Sequence, residues 1–204
     1  LLEEVFDPRT QGEAKSFSFN MSVGYNLEGI KQAPMQTFID NTIDASAHPK
    51  FAEYQRILEK WVNDDRFINN LGLQDRKAQL QSLPARISTR LVKGVTLSTM
   101  HGCPPQEIES ICRYMLEEKS INTFVKLNPT LLGFKRVREI LDTCGFDYLI
   151  VKEESFDHDL KLDQACAMLR RLLDLSKEKN LSFGVKLTNT LGSVNHKGKL
   201  PGEE

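Results

Sequence analysis

The stretches VKLNPT (residues 125–130) and VKLTNT (185–190) each run an apolar strand into a lysine and then an asparagine, and they begin 60 residues apart, at 125 and 185. A strand-helix-strand unit takes roughly 30 residues or a little more, so this offset fits two consecutive units of a parallel sheet. Each strand then delivers an ammonium and an amide to the same end of that sheet. Parallel sheets bind their ligands at the carboxyl ends of the strands.

The flanking sequence repeats the pattern. VKGVTLS (92–98) predicts a strand and residues 105–119 a helix; a strand over 122–128 precedes a helix over 134–143; FDYLIV (146–151) predicts a strand, 161–179 a helix and 181–188 a strand. This alternation without hairpin signals makes a parallel sheet covered by helices. A doubly wound sheet would carry a glycine-rich phosphate turn, and neither GxGxxG nor GxxxxGK[ST] occurs. The expected class is α/β, a partial (β/α)8 TIM-type barrel. The helix starting near 105 has Pro104 and Pro105 where missing N–H groups cost nothing, and Ile108, Ile111, Cys112 and Met115 form its apolar stripe.

The first 90 residues are less regular. SFSFNMSV (16–23) alternates into Gly24 as a strand, which puts Asn20 and Ser22 near a strand end. Apolar residues from Pro34 to Trp61 recur at helical spacing and are broken at His48-Pro49, so two helices are expected, followed by irregular helix and loop over 62–90. This is a helical insertion in the N-terminal third, and residues 1–204 read as one barrel fragment, with regular units from 91 onward.

Composition narrows the class. Twenty-seven Lys and Arg against 28 Asp and Glu give a net charge of −1, so no global field recruits nucleic acid or an anionic membrane. A hydrophobic share of 40% supports a real core, and no apolar run is long enough to span a bilayer. Without a signal-like start the chain reads as cytoplasmic. It opens on Leu1 and stops at PGEE, which suggests a piece of a longer polypeptide. The four cysteines (103, 112, 144, 166) show no metal-ligand spacing, so no metal site is expected in this segment. Cys112, Cys144 and Cys166 are expected in the core as small hydrophobes.

Several side chains could carry chemistry. Lys126 and Lys186 lie in apolar strands and must reach a partner or stay wet; either a bound anion or a structural ion pair would serve. Asn128 and Asn189 follow, as amides for a ligand or as turn residues. In TMHGCPP (99–105), His101 and Cys103 stand beside a helix N-terminus, which lowers a thiol pKa, and are candidates for acid/base or nucleophile. KEESFDHDL (152–160) reads as solvated loop charge, because DxHxD alone lacks ligand geometry.

Together FNMSVGYNLEGI (19–30), TLSTMHGCPPQEIE (96–109), FVKLNPTLLGF (124–134), GFDYLIV (145–151), FGVKLTNT (183–190) and LPGEE (200–204) resemble the flavin-barrel region of the selenate reductase subunit family. That family comprises large iron–sulfur flavoproteins related to dihydropyrimidine dehydrogenase and to the small subunit of glutamate synthase. A more distant resemblance links the region to dihydroorotate and dihydropyrimidine dehydrogenase barrels, where a KLTPN strand supplies a lysine to the flavin. FVKLNPT is similar to that strand, which implies that Lys126 and Asn128 contact FMN. TLSTMHGCPPQEIESICR is similar to their cysteine loop, which implies that Cys103, or His101, moves a proton. Lys186, Asn189 and Asn20 complete the implied cofactor-binding set.

The chain departs from that pattern at Thr96 and Ser98, where the relatives carry asparagine before Ser-Cys-Pro, and in its second lysine strand, VKLTNT, which also resembles their Thr-Asn-Thr strand end. The resemblance implies electrons from NAD(P)H passing through FAD and 4Fe-4S clusters outside this segment to FMN or a small-molecule substrate, with other redox domains as partners. Glycine-rich phosphate loops of the flavin barrels do not occur before Glu204, so this stretch alone is expected to bind FMN weakly. The alternatives are a scaffold barrel that docks redox domains and a Schiff-base lysine aldolase.

Overall fold

The computed structural model describes residues 19–98 and 103–198. By backbone contacts the chain divides into two compact units, one holding residues 36–93 with Phe19 and the other residues 20–35 with 94–198.

The second unit is built on four parallel strands, β1 (Asn20–Val23), β2 (Gly94–Ser98), β3 (Asn122–Leu127) and β4 (Phe183–Leu187), in the spatial order β1-β2-β3-β4. Sheet order follows chain order, with no reversal point such as a doubly wound sheet has. Strand residues alternate faces, and the register puts Met21, Val23, Val95, Leu97, Thr123, Val125 and Leu127 on one side, all of them buried. The helices of this unit include the short α1 (Leu27–Ile30), then α6 (Pro105–Glu117), α7 (Phe134–Thr143), the short α8 (Glu154–Asp157) and α9 (Leu162–Glu178); α6 packs against β3, and α9 against α6 and β4. The expected stripe of α6 is confirmed, since Ile108, Ile111, Cys112 and Met115 are each at most 4% exposed. Glu109 of α6 receives a two-pronged bond from Arg171 of α9, at 2.6 and 3.0 Å, and a further one from Arg113 at 3.3 Å. These guanidinium bonds, Arg171's first, hold the Glu109 carboxyl below its ordinary value.

The opposite side of the sheet carries Asn20, Ser22, Gly94, Thr96, Ser98, Asn122, Phe124, Lys126, Gly184 and Lys186. Phe124 lies across the two glycines. A Cβ at position 184 would come within 2.9 Å of its ring, and one at position 94 within 3.4 Å. At 184 only glycine leaves the ring that place, whereas at 94 a side chain would first meet Asn20 Oδ1 at 2.7 Å and the Asn122 carbonyl at 3.1 Å.

The strand expected over 146–151 does not join the sheet. Its peptide groups bond elsewhere: Arg138 of α7 donates to the carbonyls of Leu149 (2.6 Å) and Phe146 (3.0 Å), and Val194 N–H donates to Ile150 (2.9 Å). β3 and β4 therefore pair directly. Cys144 and Cys166, expected in the core, are exposed. The first follows the last turn of α7, and the second lies on α9 outside the buried row Ala165, Met168, Leu172 and Leu175.

In the first unit the predicted break holds. α2 (Ala33–Ile43), within which the division between units falls, ends before α3 (Pro49–Val62), with His48 as N-cap and Pro49 at the first helical position. α4 (Asp65–Asn70) and α5 (Lys77–Arg86) continue the insertion around a core of Val62, Ile68, Leu80 and Leu83. No helix among the described residues is long and apolar enough to cross a membrane.

Candidate functional site

Four of the residues singled out in the sequence meet at the carboxyl end of the β3–β4 pair. Lys126 and Lys186 are register partners, so their side chains leave the same face of adjacent strands roughly 4.8 Å apart. Lys126 is half-buried and Lys186 exposed. Like charges facing each other across neighbouring strands repel, so an anion over this pair is attracted by both. Leu127 O accepts from Asn189 N–H at 3.0 Å and from the Thr188 hydroxyl at 3.1 Å, which ties the end of β4 to the end of β3 and keeps Asn189 beside Asn128.

β3 ends on Asn128, and Pro129–Leu132 form one tight 3-10 turn closed by Gly133, whose φ of 77° favours glycine. Within that turn Thr130 is 2% exposed, and its hydroxyl donates to Asp159 Oδ2 at 2.7 Å. Asn128 Nδ2 donates to the same oxygen at 3.3 Å. Asp159 is itself 5% exposed, which corrects its reading as solvated loop charge. Residues 152–155, 157 and 158 of that stretch are exposed; Phe156 and Leu160, buried on either side, draw Asp159 inward. Those two apolar flanks were the available sequence signal, but the partners 29 and 31 residues away were not readable.

Cys103, Asn128, Thr130 and Asp159 line a cavity of about 10 Å³, room for about one water. The Cys103 thiol is pushed up from its ordinary value by burial and then by Glu107. This reverses the expectation of a thiol lowered by the helix terminus: desolvation and a nearby carboxylate outweigh the dipole. The group stays a protonated thiol at neutral pH, suited to give a proton and poorly suited to attack. Cys112, fully buried, is pushed up to about 12 and takes no part.

Two predicted residues stand apart. Asn20 begins β1, at the amino end of the sheet, and donates to Thr96 Oγ1 at 2.6 Å. His101 lies outside the described residues. Among the described residues no three His, Cys, Asp or Glu side chains gather as a metal site. A wider cleft of about 540 Å³ lies between Tyr148 and loop 190–197, where Lys197 Nζ stands 4.9 Å from the Tyr148 ring centre. We place the candidate site at the lysine pair instead, because the two cations and the two asparagines stand together at the carboxyl end of β3 and β4, and the Cys103 cavity adjoins Asn128.

Comparison with known proteins agrees with this architecture. The chain is 70% identical over 204 residues to a protein of Escherichia coli (strain K12) named "Putative oxidoreductase YgfK", and equally so to its counterpart in Escherichia coli O157:H7. All of the chain is covered in both cases, and 20% of each relative, so it spans about a fifth of their length. No solved structure matches. The family model described as "Oxidoreductase YgfK, N-terminal TIM-barrel domain" matches residues 1–204, and the chain belongs to that family.

Proposed function

We propose that this barrel segment belongs to an iron–sulfur flavoprotein of the selenate reductase type, related to dihydropyrimidine dehydrogenase, which passes electrons from NAD(P)H to a small substrate. The observation that carries the reading is the in-register pair Lys126–Lys186, one pleat beyond the Phe124 ring and flanked by Asn128 and Asn189. Two cations, two amides and a flat apolar ring suit a planar anionic ligand, and this donor set fits FMN. When bound, FMN would supply hydride and electron transfer.

The chain's own residues then have distinct tasks. Lys126 and Lys186 hold negative charge on the ligand or the substrate, by preorganised electrostatics. Asn128 and Asn189 orient the ligand through paired donor and acceptor groups. Cys103 holds a proton at Sγ, beside Asn128, and gives it to the reduced substrate. FAD, NAD(P)H and 4Fe-4S clusters would sit in other domains of the same polypeptide or complex, which are the partners of this segment in the cytoplasm.

The test is to denature the purified full-length protein and identify the released flavins. FMN is expected, and a Lys126→Met variant should release far less of it. A preparation active with its substrate but devoid of FMN would remove the cofactor from the reading.

A further inference from the structure

We infer that Asp159 is the positioning residue of this site, setting which way the Asn128 amide faces; the inference rests on the ligand-binding role just proposed for Asn128. Burying a carboxylate is costly unless hydrogen bonds compensate. Six of the nine residues in 152–160 are exposed; Phe156 and Leu160 are buried as apolar side chains, and Asp159 is the one charged residue of the stretch that is buried, at 5% exposed. Its Oδ2 accepts from Thr130 at 2.7 Å and from Asn128 at 3.3 Å, two donors in the turn that ends β3.

The chemistry of that oxygen decides the amide's orientation. A carboxylate accepts and does not donate, so it can face only the NH2 end of Asn128, and the amide oxygen is turned away from Asp159. The Thr130 hydroxyl, held in the 3-10 turn, fixes the carboxylate itself. Asp159 touches no reacting atom in this scheme; it acts through Asn128. Because Cys103 lines the same small cavity, a shift of the carboxylate would also loosen the packing around the thiol.

The competing explanation is a purely structural staple between segment 152–160 and β3. The two separate by titrating flavin-depleted full-length protein with FMN, using fluorescence quenching, for wild type, Asn128→Ala, Asp159→Asn, Thr130→Val and the Asn128→Ala/Asp159→Asn double variant. An amide at 159 can donate as well as accept, which frees Asn128 to flip. Asn128→Ala is expected to raise the FMN Kd about tenfold, the worth of one hydrogen bond. Asp159→Asn should raise it comparably and the double variant no further, since the two act as one unit.

Thr130→Val should raise the Kd by a smaller factor, and it carries the comparison if Asp159→Asn does not fold. A staple would instead lower the melting temperature of the Asp159 and Thr130 variants and leave Kd unchanged, or give effects that add in the double variant. Either result overturns the inference while sparing the proposed site. If wild type binds no FMN, or Asn128→Ala leaves its Kd unchanged, the site reading itself fails and takes the inference with it.

Discussion

The two faces of the four-stranded sheet are made from the same alternating strands, yet they do opposite work. On the helix-covered face Val95, Val125 and Thr123 are 0% exposed, and α6 adds Cys112, Met115 and Leu116 at the same value. On the other face Phe124 and Lys126 are half-buried and Lys186 is exposed. In β3 the two roles alternate residue by residue, Val125 inward to the helices and Lys126 outward, with one peptide between them. Stability and chemistry are thus separated by the pleat of a strand rather than by distance along the chain.

The sharpest way to break this contrast is to exchange the faces. Val125→Asp would place an unpaired carboxylate against α6 and is expected to prevent folding; soluble, cooperatively unfolding protein would show that the covered face is not core. Met115→Ala should cost about 3 kcal/mol in denaturant unfolding, as deletion of a fully buried side chain does. On the other face, Lys126→Met should change stability by less than about 0.5 kcal/mol, because relief of repulsion from Lys186 offsets lost contacts. The same variant should reduce turnover of the full-length protein about a hundredfold, in the range of a lost transition-state donor. Equal losses of stability from Met115→Ala and Lys126→Met would erase the distinction.

A smaller effect tests the covered face through pH. The Glu109 carboxyl is depressed in the folded state by Arg171 and Arg113, so its contribution is present above the ordinary carboxylate value of 4.5 and disappears as pH falls through the depressed folded value. Glu109→Gln should therefore cost about 1 kcal/mol at neutral pH, with wild type and variant converging on acidification. Parallel stability curves down to the acid limb would mean the α6–α9 link contributes nothing. The mildest probe perturbs no energy at all: maleimide labelling should modify Cys144 and Cys166 first, Cys103 more slowly because its thiol is raised, and Cys112 only on unfolding.

Much of this division was legible in the residues. The strand and helix alternation from 94 onward apart from 146–151, the buried stripe of α6 and the break at His48-Pro49 are local patterns, and the fold keeps them. The 146–151 segment shows where local reading fails. FDYLIV is as apolar as its neighbours, but its carbonyls are taken by Arg138 and Val194, and competition for backbone hydrogen bonds is not written in hydropathy. Cys144 and Cys166 fail for a related reason, since residue type says nothing about which side of a helix end is covered.

At the candidate site the sequence by itself determined the ingredients and their order: a lysine and an asparagine closing each of two strands, and a cysteine entering a helix. Strand periodicity is a property of the chain, so the face that each lysine takes follows from the residues alone. Only the tertiary structure decided that the two lysine strands are immediate neighbours in register, that Asn20 stands at the other end of the sheet, and that Asp159 reaches back to Asn128 and Thr130. Those outcomes depend on which distant backbone and side-chain groups satisfy one another, and burial selects among such pairings only once the whole chain has folded.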